Sequence, residues 1–205
     1  VFENPAKKKI FLSILVFAVI LSSFYILDFK AAWGETQANS VVSSYSSGSP
    51  ELDFSDHIFL YIEGDDALKV NLNEKLRKDL EAAGSKVVIV DSVEEKYDSQ
   101  TLLVNISIDY WLYTPVYASS NINLVFFYTS TGEDAKYFEH FREGNKSVVF
   151  MNDGSTQGKK LMDGEIKLQD STKGLISLKA YKKHLADEAS GEIVKQLQAQ
   201  IQQNL

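Results

Sequence analysis

The hydrophobic and polar positions fall into three regimes along the chain. From Ile10 to Leu27 the residues are uncharged and almost wholly apolar, diluted only by serine. At about 1.5 Å per residue, a helix over 10–27 covers ~27 Å, close to the hydrocarbon thickness of a bilayer. From Glu35 to Pro50 serine dominates and no apolar period is visible, which predicts a flexible tether within a linker over 28–52. Beyond residue 53 the pattern alternates between strand-like and helix-like periods, as expected of a folded domain spanning 53–205.

Within that domain His57–Glu63 reads as an apolar strand. Leu72, Leu76, Leu80 and Ala83 recur at helical spacing, with Gly84 as the stop. Lys86–Val90 is rich in β-branched residues and reads as a second, parallel strand of a β-α-β unit. The even positions from Leu102 to Leu112 are apolar throughout. The odd positions are polar in the middle and aromatic at the end, which reads as a half-buried antiparallel strand, with Leu102, Val104, Ile106 and Ile108 predicted to face the core. Ile122–Tyr128 continues the antiparallel pattern. Further strands are predicted at Lys136–Phe141, Ser147–Met151 and Glu165–Leu168, with a turn at Asn152-Asp153-Gly154. The period then changes: Tyr181, Leu185, Ala189, Ile193, Leu197 and Ile201 form one stripe of a helix over Leu178–Gln202. The predicted class is α+β, namely a transmembrane helix followed by β-α-β, an antiparallel meander and a closing helix.

The flanks orient the first segment. Lys7, Lys8 and Lys9 precede it, whereas Asp28, Phe29, Lys30 and Trp33 follow. Three lysines on one side place residues 1–9 in the cytoplasm and the domain on the far side of the cell membrane. A cleaved signal has an apolar core of about 7–15 residues followed by small residues. Here the run is longer and ends on Phe24, Tyr25, Ile26 and Leu27, so an uncleaved single-pass anchor is expected.

Composition narrows the function classes. The net charge of −7 argues against nucleic acid as a partner. There is no cysteine, which excludes thiolate chemistry, Cys-ligated metals and a lipidated N-terminal Cys. His57, His140 and His184 are scattered and lack metal-ligand spacing. Gly64 stands alone before Asp65-Asp66, which would repel a phosphate. No nucleophile elbow is present. No cofactor, metal or catalytic residue is therefore assigned. Trp111, Tyr113 and Tyr117, around Pro115, are a candidate partner-contact surface because aromatics are enriched at interfaces. The alternative use of the same rings is to close the end of the core. Asn105 and Asn145 begin Asn-x-Ser sequons, of which Asn145 is predicted to lie in an exposed loop.

The pieces HIFLYIE, LNEKLRKDLEAAG and KVVIV, the strands of 101–151 and the helix from 178 resemble, in architecture, envelope modules typified by the N-terminal domain of TolB and by LptE. The resemblance implies a docking module in an envelope assembly, with a helix in place of the lipid anchor, and transfers no catalytic residues. The expected partners are the lipid bilayer and other membrane-protein subunits, and the expected function is that of a non-catalytic accessory or scaffold subunit. A binding module for a lipid, glycan or envelope polymer is the alternative, and an anchored enzyme the third reading.

Overall fold

A computed structural model describes residues 5–47, 57–94, 96–143 and 158–202. Helix α1 (Pro5–Ile26) is followed by strand β1 (Lys30–Ser47), strand β2 (His57–Gly64), helix α2 (Asp66–Ala82) and strand β3 (Lys86–Ile89). The long hairpin of β4 (Gln100–Thr114) and β5 (Tyr117–Thr129) comes next. A 3-10 turn (Ala135–Tyr137), short helix α3 (Phe138–Arg142), strand β6 (Lys159–Ile176) and helix α4 (Leu178–Gln202) complete the chain. The strands form one six-stranded sheet in the order β1-β6-β5-β4-β2-β3. β2 pairs in parallel with both β3 and β4, and the remaining pairs are antiparallel. The α+β class and the N-terminal apolar helix follow the sequence pattern.

One face of the sheet is covered by α2 and α4. Leu68, Leu72, Leu76 and Leu80 of α2 are all buried, as are Tyr181, Leu185, Ala189, Ile193 and Leu197 of α4. They meet Ile58, Leu60 and Ile62 of β2, Leu102, Val104 and Ile106 of β4, and Leu124, Phe126 and Tyr128 of β5. α2 starts where Gly64 turns the chain at φ +105° and the Asp65 carboxylate accepts the Ala67 N–H at 2.8 Å. That cap satisfies a helix-end donor that would otherwise lack a partner. Among the described residues, the outer face is covered near the α3 end, where Phe138, Phe141 and Tyr97 pack with Leu103, Phe127 and Leu161.

Gly191 interrupts α4 on its exposed side, and a Cβ built there meets nothing within 4 Å. Gly191→Ala is therefore expected to stabilise the protein by about 1 kcal/mol. A rise in the urea unfolding midpoint with an unchanged slope is the readout.

Four sequence readings need correction. Residues 35–47 of the stretch predicted as a tether belong to strand β1 (Lys30–Ser47), eighteen residues paired along its whole length with β6, while 48–52 of the predicted linker lie outside the described residues. Its inward side chains are held by hydrogen bonds more than by apolar burial, so no hydrophobic period marks them: Thr36 donates to Asp170 (2.8 Å) and Ser40 to Glu192 (3.1 Å). Lys136–Phe141 is a 3-10 turn and helix α3, because Phe138 and Phe141, three apart, both turn into the outer core while Glu139 and His140 stay exposed. Glu165–Leu168 is the middle of the eighteen-residue β6, whose polar Asp170 and Thr172 are buried and mask its extent. Finally, the register of β4 on β5 shifts between Ile108 and Tyr110. That irregularity reverses the alternation, so Tyr110 and Leu112 are exposed while Trp111 and Tyr113 turn to the helix side. The strand predicted at Ser147–Met151 and the turn at 152–154 lie outside the described residues.

Candidate functional site

The feature that sets this fold apart is where α1 joins the sheet. Lys8–Ile26, nineteen residues, is long and apolar enough to cross a membrane, and none of it is buried in the protein. By length and composition it suits a membrane anchor or a signal sequence alike. Its last turn, however, is built into the domain. Only Leu27, Asp28 and Phe29 separate α1 from β1.

Ser177 is the centre of the joint. It is fully buried and caps α4, its hydroxyl accepting the Ala180 N–H at 3.1 Å and its carbonyl the Tyr181 N–H at 2.9 Å. The same hydroxyl accepts the Phe29 N–H at 3.2 Å, and the Ser177 N–H returns a bond to the Phe29 carbonyl at 3.0 Å. Tyr113 completes the joint. Its hydroxyl lies 2.9 Å from the Ile176 carbonyl and 3.2 Å from the carbonyl of Phe24 in α1. Its ring meets Tyr25 edge-on at 5.8 Å and stacks on Tyr181 at 6.3 Å. Burial raises the Tyr113 pKa, keeping the phenol a neutral donor. Tyr113→Phe removes the hydrogen bond but keeps the packing. It is expected to cost about 1 kcal/mol and to speed proteolysis between residues 26 and 30, read by limited digestion with the fold checked by circular dichroism.

The predicted contact residues thus divide. Trp111 and Tyr113 both pack inward on Tyr181, Trp111 at 5.3 Å. Tyr117 is half-buried at the start of β5, opposite Lys173. Hydrogen bonds from Ser171 and then Ser119 lower its phenol pKa. Of the sequons, Asn145 lies outside the described residues. Asn105 is half-buried, and its Nδ2 donates to Glu63 at 2.9 Å. Glu63 also accepts from Tyr61 and Arg142. Burial alone would raise the Glu63 carboxyl, but those three bonds outweigh it and hold the pKa below normal.

Sequence reasoning missed the buried cluster between β1, β6 and α4. The Asp170 carboxylate takes Thr36 Oγ1 at 2.8 Å, Thr172 Oγ1 at 3.0 Å and His184 Nε2 at 3.0 Å. Its side chain is wholly buried. Burial would raise its pKa, and the bonds from His184 and Thr36 more than reverse that. Thr36, His184 and Asp170 are the residue types of an acid–base–nucleophile set, but their geometry does not serve that chemistry. Thr36 and Asp170 both approach the same imidazole nitrogen, and the Thr36 proton already goes to Asp170. A general base needs a free acceptor facing the nucleophile. The cluster is a clamp that ties β1 and α4 to β6. β1 also passes the cluster closely at Gly34, where an added Cβ would fall 2.6 Å from Thr172 Oγ1. Among the described residues no three His, Cys, Asp or Glu side chains group to hold a metal ion.

Among the described residues, depressions on the outer face include two beside β5 and β6. One, about 170 Å³, is lined by Asn123, Val125, Phe141, Arg142, Asp163 and Glu165. The Asn123 carboxamide oxygen, buried, has no hydrogen-bond partner among the described residues. The second, about 270 Å³, is shallow and lined by Gln37, Asn121 and Gln169, neighbours across β1, β5 and β6.

No protein-family profile and no curated protein matches the chain. Among solved structures, it is similar to a PelC dodecamer variant from Paraburkholderia phytofirmans, at 10% identity and a TM-score of 0.34, covering 72% of this chain and 94% of that one. It is also similar to a minor lipoprotein from Acinetobacter baumannii, at 14% identity and a TM-score of 0.32, covering 69% and 93%. Likeness at this level leaves function to be argued from the chain's own geometry.

Proposed function

We propose that this chain is a non-catalytic, membrane-anchored accessory subunit that holds a folded domain rigidly against the bilayer surface for other envelope proteins to dock on. The joint between α1 and the sheet carries this reading. A signal sequence is removed after export, and its loss here would leave Tyr113 without the Phe24 acceptor and the Tyr25 ring. A retained anchor makes those contacts permanent. With no free tether, the domain keeps one height and one orientation above the membrane, as a scaffold requires. The N-terminus is cytoplasmic, set by Lys7–Lys9, and the domain extracytoplasmic.

Native purification tests the reading. Extracted from its own membranes in mild detergent, the chain should run with membrane-protein partners at fixed stoichiometry. A lone monomer would count against it. Protease added outside spheroplasts should digest the domain; digestion only from the cytoplasmic side would reverse the orientation.

A second reading, a binding module for a glycan or envelope polymer, is favoured by the outer face. The amides of Gln37, Gln169 and Asn121 line up across three strands, and Tyr110, exposed, stands opposite Asn121. A flat row of amides beside an open ring suits sugar hydroxyls. Glycan capture abolished by Tyr110→Ala in a stable monomer would favour this reading over the subunit.

A further inference from the structure

We propose that the end of the sheet around α1 is itself a lipid-binding surface, with Trp33, Val116 and Leu175 entering the bilayer interface and Lys30, Lys173 and Lys179 pairing with anionic headgroup phosphates. The proposal rests on α1 being a retained membrane anchor.

The sheet brings these residues together. β1 begins where β6 ends, and the β4–β5 turn folds onto the same edge: Lys30 pairs with Ile176, Ala31 with Leu175 and Trp33 with Lys173. The Gly174 N–H bonds to the Val116 carbonyl at 3.0 Å and the Ile176 N–H to that of Pro115 at 3.1 Å. Trp33 is 73% exposed, Val116 60% and Leu175 47%. A water-facing cluster of such side chains at one end of a domain calls for an apolar partner. The partner is set by position. Nineteen residues at ~1.5 Å rise bring Ile26 to the hydrocarbon boundary, and Phe29 follows within about 10 Å. The strand ends therefore emerge at headgroup depth, where tryptophan settles.

Charge points to the same partner. The whole chain carries −7, yet Ser171–Ala186 holds four lysines and no carboxylate. Three of the four, Lys179, Lys182 and Lys183, sit in the first two turns of α4, against the positive end of the helix dipole. That placement disfavours the fold. Lys30, Lys173 and Lys179 are exposed and make no salt bridge to a carboxylate among the described residues. Lys179 and Lys183 border a depression that Asp28, Glu74 and Asp187 also line, and anionic headgroups at this end of the sheet supply further counter-charge.

The test uses the full chain, α1 included, with Trp111→Phe so that Trp33 is the only tryptophan. It is reconstituted in phosphatidylcholine vesicles with and without phosphatidylglycerol, and the fold is checked by circular dichroism. Flotation with the vesicles and resistance to carbonate extraction report on the anchor alone; loss of either defeats the anchor reading. With the anchor intact, Trp33 emission should be blue-shifted and quenched by lipids brominated near the headgroup. Val116→Ser with Leu175→Ser, both surface changes, should cut that quenching at least twofold. Lys173→Glu with Lys179→Glu should cut it in the phosphatidylglycerol vesicles and leave the neutral ones unchanged. An anchored chain whose Trp33 stays unquenched overturns the proposal. So does shielding of Trp33 that appears only as protein concentration rises, which would mark a contact between copies. Equal effects of the lysine reversals on both vesicle types overturn the anionic component.

Discussion

Ile106→Asp is expected to unfold the domain. Ile106 is 2% exposed, in the middle of β4 and part of the core beneath α2 and α4. Its backbone neighbours are fixed on both sides, Gly64 on β2 and Leu124 on β5. The Ile106 carbonyl also accepts the Asp65 N–H at 3.2 Å where the chain turns into α2. A carboxylate placed there loses its water and meets only apolar side chains. The cost exceeds about 4 kcal/mol, a large part of the roughly 5–15 kcal/mol net stability of an ordinary domain. The measurement is chemical unfolding of the purified protein followed by far-ultraviolet circular dichroism. A variant with a wild-type midpoint would show that this face of β4 is not the core. Ser107→Asp, one residue along on the exposed face, is the matched control and should change stability by less than about 0.5 kcal/mol.

The second large effect is at Asp170. Asp170→Ala removes one carboxylate and leaves Thr36, Thr172 and His184 without their common acceptor in a buried site. The expected loss is about 3 kcal/mol, the range for breaking a buried charge-assisted network by deleting one partner. The pH dependence carries a sign that tests the mechanism. The folded pKa of Asp170 lies below its usual 3.8. The native protein therefore holds the ionised form more tightly than the unfolded chain does. The associated stability is complete above the unfolded pKa and disappears as pH falls through the lower folded value. Wild-type stability should decline on acidification in that window, whereas Asp170→Ala should lack this component of the decline. Since the clamp holds β1 to β6 and α4, the variant should also lose hydrogen-exchange protection first in β1. Uniform loss across the sheet would show that β1 has no separate dependence on Asp170.

These two positions differ in how visible they are in the sequence. Ile106 belongs to a strict apolar alternation, so its burial can be read from Leu102, Val104 and Ile106 alone. Asp170 sits in a stretch of Gln, Asp, Ser and Thr that reads as solvent-exposed, and nothing local announces that His184 lies fourteen residues away on a helix over it. β1 was hidden for the same reason. Serine and threonine carry no hydrophobic period, and what makes them a strand is the open edge of β6. The aromatic end of β4 was visible as a cluster, but which way its rings point was not. An unpaired extra residue at the Ile108–Tyr110 shift exchanges the two faces, and no propensity marks where such a shift falls.

The elements legible from residue order are those whose stability is local or is carried by hydrophobic contrast: the uncharged first helix, the leucine stripe of α2 ended by Gly84, β2, β5 and the long stripe of α4. In each, apolar side chains recur with the period of the backbone, and any fold must bury them on that face. Tertiary structure alone decided that the serine-rich stretch is an edge strand, that Trp111 and Tyr113 point inward, and that α1 is joined to the domain without a tether. The physical reason is shared. These features rest on hydrogen bonds between residues far apart in the chain, such as Phe29 to Ser177 and Thr36 to Asp170. A polar group discloses its partner only when the fold has brought the two together.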